Sequence, residues 1–278
     1  MDFLMSKFYL TKSYPVFTLH GMNQTFLGNS EEILKTLPEG SIHLCFTSPP
    51  YFNARDYSFY ESYQDYLDKM KEIFTEVHRV LEEGRFFVLN TSPVLIARES
   101  RQHQSKRLAI PFHLNNIVEK IGFEFIEDIV WLKPETAAKN RNGGFFQHRK
   151  PLAYKPNIVT EYIMVYRKKT EKLIDWNIRK HDQELVKQSL INGSYESSNV
   201  WQIDPSYSSQ HPATFPLILA EKVIKFYSFV GDTVLDPFAG SGTTGLAAIK
   251  NNRKYCLIEA QEKYFKIIQN KLHSNSLL

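Results

Sequence analysis

The sequence predicts an α/β fold, a mainly parallel sheet with helices on both faces, and three observations carry that expectation. Short apolar strand-like runs alternate with amphipathic helix-like stretches along most of the 278 residues. Two of the runs end in loops of unusual composition, Ser48-Pro49-Pro50-Tyr51 early and Asp236-Pro237-Phe238-Ala239-Gly240-Ser241-Gly242 late. An apolar fraction of 42%, with 20 Phe and 15 Tyr, is enough for a full core and sets aside disordered classes.

The elements follow in chain order. Residues 42–46 form an apolar run stopped by two prolines, which cannot donate to a ladder, so they read as a buried strand ending in a rigid loop. Tyr63, Tyr66, Leu67, Met70, Ile73, Phe74, Val77, Val80 and Leu81 recur at steps of three and four, which predicts a helix with Ser62 as cap and Gly84 just beyond its end. Residues 86–89 read as a strand, 110–120 as a helix, and 123–132 and 158–166 as strands. Between about 133 and 210, apart from the strand at 158–166, no clean period appears, and the stretch reads as inserted recognition loops. Beyond it come a helix at 217–229 with Pro216 in its first turn, a strand at 234–236, a helix at 243–250, a strand at 255–259 and a last helix at 261–272. There is no internal repeat.

The formal charge of +4 says little by itself about a nucleic-acid partner. Cys45 and Cys256 both sit in apolar runs, the pattern of buried free thiols in a reducing compartment, and two cysteines exclude a cysteine metal site. The first residues do not form a signal peptide, and no run approaches the ~18 apolar residues of a membrane span. The expectation is a soluble cytoplasmic protein.

The late loop follows a strand, opens a helix, and satisfies G-x-G-x-x-G with Gly240, Gly242 and Gly245. Such a turn lets backbone approach a ligand and aims helix amides at an anionic group, while an acid ending the next strand, here Glu259, suits ribose hydroxyls. A nucleoside-bearing cofactor is expected. A nicotinamide dinucleotide would also suit these residues, but Gly245 lies only 33 residues from the end, which reverses the usual order of a dehydrogenase. A P-loop fails for want of Gly-Lys-Ser/Thr.

The early loop leaves a strand end, where open α/β sheets place ligands. An exocyclic amine of cytosine or adenine is a poor nucleophile, because its lone pair is delocalised into the ring. The Ser48 hydroxyl and the Pro49 carbonyl, held by two restricted φ angles, offer acceptors for both N–H hydrogens and favour a pyramidal nitrogen; Tyr51 offers a ring to stack on the base. The competing reading is a rigid strand-end turn with an exposed tyrosine.

The two loops together resemble those of the β-class amino-group DNA methyltransferases, cytosine-N4 and adenine-N6, in which the catalytic motif precedes the cofactor motif. The resemblance extends to His211-Pro212-Ala213-Thr214-Phe215-Pro216 before a helix and to Gly28-Asn29-Ser30. It implies a circularly permuted, Rossmann-like methyltransferase fold using S-adenosylmethionine and no metal, with Ser48, Pro49, Pro50 and Tyr51 catalytic. It further implies Phe238 and Asn29 near the adenine; Thr214 and the amides of Gly240, Ser241, Gly242 and Thr243 around the methionine carboxylate; Asp236 near its ammonium; Glu259 on the ribose; and Phe215, Pro216 and Thr244 as further cofactor-binding residues. Asn29 stands where the family commonly has Asp. Ser48 stands where adenine-N6 enzymes usually have Asp or Asn, so the loop is similar to that of the cytosine-N4 subgroup, although either amine offers the same two donors. A cytosine-C5 mechanism needs a cysteine nucleophile, and neither cysteine suits it.

The chain then divides into a catalytic half at 1–132, a target-recognition insertion at 133–210 and a cofactor half at 211–278. From 133 to 200 there are 13 Lys and Arg against 7 Asp and Glu. Lys139, Arg141, Arg149, Lys150 and Lys155 interleave with aromatic residues there, and Arg98, Arg101, Lys106 and Arg107 form a second cluster in a loop, as expected of phosphate contacts. Phe52, beside Tyr51, is a further candidate for stacking on a base turned out of the duplex. The implied partners are double-stranded DNA and, in a restriction-modification setting, a cognate endonuclease, with the protein a monomer or homodimer. The rivals are adenine N6 as target, a nicotinamide-dependent oxidoreductase, and a non-catalytic DNA-binding module.

Overall fold

The computed structural model describes residues 23–52, 60–96, 98, 100, 102–103, 105–137, 150–154, 156–193, 195–206 and 215–273. In chain order, β1 (Gln24–Leu27), α1 (Ser30–Thr36), β2 (Ile42–Thr47) and α2 (Tyr63–Val80) are followed by β3 (Leu81–Thr91), a hairpin of β4 (Val94–Ile96) and β5 (Lys106–Leu108), α3 (Ile110–Ile121) and β6 (Phe123–Leu132). Next come β7 (Thr160–Lys168), the short helices α4 (Trp176–Lys180) and α5 (Gln183–Gln188), and β8 (Val200–Gln202). The last part holds α6 (Leu217–Tyr227), β9 (Thr233–Asp236), α7 (Thr243–Lys250), β10 (Lys254–Glu259) and α8 (Glu262–His273).

Eight strands form one sheet in the order β1-β10-β9-β2-β3-β7-β6-β8. All neighbours are parallel except at β7, which runs against both β3 and β6. Each face carries its own core. Ile33, Phe74, Val77 and Leu114 of α1, α2 and α3 pack on one side with Cys45 and Leu235, whereas Leu219, Val223, Ala247 and Ile268 of α6, α7 and α8 pack on the other with Leu44, Phe46 and Val234. Burial on both faces explains why β2 reads as an unbroken apolar run. The inward face of α2, with Tyr66, Met70, Ile73, Phe74, Val77 and Val80 all at 2% exposure or less, stabilises the fold by about 1.5–3 kcal/mol for each large side chain.

Strand β2 sits between β9 and β3, although β9 lies far away in sequence. The chain leaves β2 for α2 on one face and leaves β9 for α7 on the other, so a crevice opens where the two connections diverge. Open α/β sheets bind ligands at such a point.

Several expectations change. Gly84 does not end the helix: α2 passes through Leu81 directly into β3, and Gly84, at φ +72°, lies inside that strand. There the β2–β3 register jumps from Ile42↔Leu81 to Leu44↔Phe86, a bulge that needs the left-handed region. Pro216 is the N-cap of α6 rather than a first-turn residue. The 133–210 stretch supplies β8 at the sheet edge and two short helices besides β7. Lys106 and Arg107 lie on β5 instead of in a loop. No helix among the described residues is long and apolar enough to cross a membrane.

Candidate functional site

Two loops meet in the crevice between β2 and β9, and Asp236 joins them. Its Oδ1 accepts from Thr47 Oγ1 at 2.6 Å and from the Phe238 amide at 3.0 Å, and its Oδ2 accepts from Thr244 Oγ1 at 2.6 Å. Only 1% of the residue is exposed, and burial raises its pKa, the three donors opposing that rise. Thr47 ends β2 immediately before Ser48, so this carboxylate fixes the late loop against the start of the early one. The resemblance placed Asp236 beside an ammonium. Of the four acceptor positions of its carboxylate, three are already taken within the protein.

In the late loop, Gly240 and Gly242 take φ +53° and +76°, and the amide of Gly242 bonds back to the Ala239 carbonyl at 2.8 Å. A Cβ on Gly242 would lie 3.1 Å from Ile268, and one on Gly245 would lie 2.7 Å from Leu257, so the third glycine serves the close approach of α7 to β10. Glu259 closes the turn from the end of β10. Its Oε2 accepts from the Gly240 amide at 2.8 Å and its Oε1 from the Gln261 amide at 2.7 Å. Burial raises its pKa against those donors. The Ala260 amide is a third donor to this carboxylate, which leaves it one acceptor position for a ribose hydroxyl. Ser30 opens α1 and donates to the Pro237 carbonyl, bringing Asn29, exposed at the N-cap of that helix, to the same loop. Phe238 is half-buried, Ser241, Thr243 and Thr244 are buried, and Phe215 packs on Phe46 with ring centroids 4.8 Å apart. Thr214 lies outside the described residues.

The early loop is held by side chains. Pro49 is buried, and Ser48, Pro50, Tyr51 and Phe52 are half-buried. The Tyr51 hydroxyl donates to Glu161 Oε2 at 3.0 Å; burial, and then the Glu161 charge, push its pKa well up, while a hydrogen bond from Ser48 works against them. Asn90 Nδ2 donates to the same Oε2 at 2.9 Å and makes a long contact of 3.4 Å to Ser48 Oγ. Lys133 pairs with Glu161 Oε1 and sits 4.6 Å above the Trp131 ring. Phe52 packs among Tyr60, Tyr63 and Tyr66, at 5.2 Å from Tyr63, so its ring anchors the loop to α2.

Sequence reasoning missed Thr47, Asn90, Lys133 and Glu161. The signal was a polar residue closing each apolar strand run, as at Asn90-Thr91-Ser92, or opening one, as at Thr160-Glu161. Both thiols are buried, and burial raises their pKa, that of Cys256 to about 12, so neither is a nucleophile. Among the described residues no group of three or more His, Cys, Asp or Glu could hold a metal ion. Of the basic residues, Arg98, Lys106, Arg107 and Lys150 are exposed, and Arg107 donates to the Pro156 carbonyl at 2.5 Å. Arg101, Lys139, Arg141, Arg149 and Lys155 lie outside the described residues.

A proline-braced polar loop beside a glycine turn at the switch point of a permuted α/β sheet is the architecture of amino-group methyltransferases. The chain belongs to the N6/N4 DNA methylase family, whose model, described as DNA methylase, matches residues 42–270. Among its relatives, the type II methyltransferase M.ScaI of Streptomyces caespitosus is 30% identical over 259 residues, covering 90% of this chain and 81% of that one. A Thermus thermophilus protein described as a putative DNA modification methylase, solved in complex with S-adenosyl-L-methionine, is 27% identical with a TM-score of 0.69, over 91% of this chain and 95% of that one. The PvuII DNA methyltransferase, cytosine-N4-specific, is 25% identical with a TM-score of 0.65, over 89% and 85%. Fold, family and methyltransferase character thus agree with the resemblance read from the two loops.

Proposed function

We propose that the protein transfers a methyl group from S-adenosylmethionine to the N4 amine of cytosine in duplex DNA, directly and after base flipping, within a restriction-modification system. The carrying observation is Ser48 at position one of the early loop, tied through Thr47 and Asp236 to the glycine turn. The named character of the PvuII neighbour supports the cytosine reading, and the complex of the Thermus neighbour supports the cofactor. When bound, S-adenosylmethionine supplies a methyl group already activated on a sulfonium, so no covalent enzyme intermediate is needed. Glu259 would hold its ribose, and Phe238, Asn29 and the turn from Gly240 to Thr244 the rest of it.

The protein's own groups prepare the nucleophile. Ser48 Oγ and the Pro49 carbonyl accept the two N–H hydrogens of the amine, which disfavours delocalisation of its lone pair into the ring. Tyr51, fixed through its hydroxyl, provides a rigid face for the extruded base, offsetting the few kcal/mol that unstacking costs. The proton that the methylated amine sheds passes by way of Ser48 Oγ to solvent water, since a neutral hydroxyl relays a proton but does not keep it. Residues 133–210, apart from the core strand β7, form the target-recognition insertion, and Arg98, Lys106, Arg107 and Lys150 contact phosphates.

Incubation with methyl-labelled S-adenosylmethionine and unmodified plasmid DNA, followed by digestion to nucleosides and mass measurement, tests this reading. The expected product is N4-methylcytosine. N6-methyladenine would overturn the cytosine assignment, and unlabelled DNA the whole proposal.

A further inference from the structure

Four neighbouring strands bring one polar residue each to a single line along the sheet edge that carries the site. Ser48 follows β2, Asn90 lies near the end of β3, Glu161 is the second residue of β7, and Lys133 follows β6. Because β7 alone runs against its neighbours, its start falls where their ends fall. Glu161 is the hub of this line. Its side chain is 14% exposed, accepts from both Tyr51 and Asn90, and is paired with Lys133.

The loop needs such a hub. Pro49 and Pro50 carry no N–H, so the segment lacks two of the backbone donors that would otherwise tie it to its surroundings. Its placement falls to side chains, and Tyr51 reaches past β3 to Glu161 on β7. A carboxylate only accepts, so Glu161 also decides which way the Asn90 amide faces: Nδ2 turns to Glu161 and Ser48, and the buried Oδ1 is left without a partner among the described residues. Lys133 balances the half-buried charge and is itself bonded by its amide to the Val159 carbonyl at 2.8 Å.

We propose that Glu161, balanced by Lys133, is a positioning residue for methyl transfer, setting the pose of Tyr51 and the orientation of Asn90 against Ser48. The proposal rests on the Ser48 to Tyr51 loop being the catalytic loop. Glu161→Gln keeps the shape, removes the charge and loses one acceptor. Its kcat on DNA should fall about tenfold or more, the scale of one lost charge-assisted hydrogen bond, while its affinity for S-adenosylmethionine by calorimetry stays within about twofold. A purely structural role would lower both together. Tyr51→Phe breaks the same contact from the other side and should show the same split, which serves if Glu161→Gln does not fold. In the Tyr51→Phe background, Glu161→Gln should cost at least about threefold less than it does in the wild type, because both act on one bond. Wild-type kcat in either variant, or full additivity in the double variant, overturns the proposal. Ser48→Ala separates the premise from the proposal: if that variant retains full activity, the catalytic loop itself is misassigned.

Discussion

A single buried carboxylate, Asp236, organises both loops of the site at a cost that depends on pH. Burial lifts its pKa above the ordinary carboxylate value, and the donors Thr244, Thr47 and the Phe238 amide oppose the lift without cancelling it. A folded-state pKa above the unfolded one means that the folded protein binds this proton first as pH falls. The stability contributed by this group is therefore lost as pH rises through the raised value and recovered as pH falls towards about 4, where the unfolded carboxylate titrates. Asp236→Asn keeps an acceptor for Thr47 and Phe238 and turns an N–H towards Thr244 Oγ1, so the shape survives and the ionisation is gone. Glu259, also raised by burial, titrates in both proteins and largely drops out of the comparison. The melting temperature of the wild type minus that of Asp236→Asn should rise as the pH is lowered from neutral towards about 4. A difference flat over that whole range would show that burial does not raise the Asp236 pKa.

At the scale of elements, α2 joins fold to function, since Tyr63 and Tyr66 receive the Phe52 ring and so anchor the early loop. Its start is fixed by a reciprocal cap, the Ser62 hydroxyl accepting from the Asp65 amide at 3.1 Å and the Asp65 carboxylate from the Ser62 amide at 2.9 Å. Ser62→Ala should cost about 1 kcal/mol in chemical denaturation. Cofactor affinity should be unchanged, because no residue of α2 is among those proposed to hold the cofactor; a parallel loss of affinity would mean that the start of α2 also shapes the cofactor site. This helix was legible in the sequence to within a residue because its apolar stripe, its cap and its length all agree. The same holds for β2, α7 and β10, where burial on both faces or a glycine turn leaves a local signature. Strands β1 and β8 were not legible: each is four residues or fewer at a sheet edge, and each is held by the register of its single neighbour rather than by its own pattern. Gly84 misled for a related reason. A glycine after a helix suggests a C-cap, and only the neighbouring strand reveals that the left-handed residue serves a bulge. In the site, the two motif loops were visible and their supports were not, since Asn90, Lys133 and Glu161 acquire their meaning only when β7 is threaded between β3 and β6.

Across the whole molecule, charge matters by where it is already paired. The surplus of cations between 133 and 200 overstates what that region offers a phosphate backbone. Lys133 pairs with Glu161, Lys172 with Glu83, Lys180 with Glu82 and Arg179 with Asp175, while the buried Arg167 donates to the carbonyls of Gly84, Lys172 and Leu173. Lys172, Lys180 and Arg167 fasten the insertion to the sheet, and the Arg179–Asp175 pair braces α4 within it. Lys106 and Lys150 instead lie exposed, and Arg107, next to Lys106, bonds to the carbonyl of Pro156, six residues along the chain from Lys150. If that face carries the duplex, each lysine contributes one released counterion. The double variant Lys106→Ala, Lys150→Ala should then bind DNA more weakly at every sequence and flatten the slope of log affinity against log salt by about two. Affinity for S-adenosylmethionine should stay at the wild-type value, since neither residue touches the glycine turn. A salt slope equal to the wild type's would move the DNA to another face, and the phosphate contacts proposed for the hairpin would go with it.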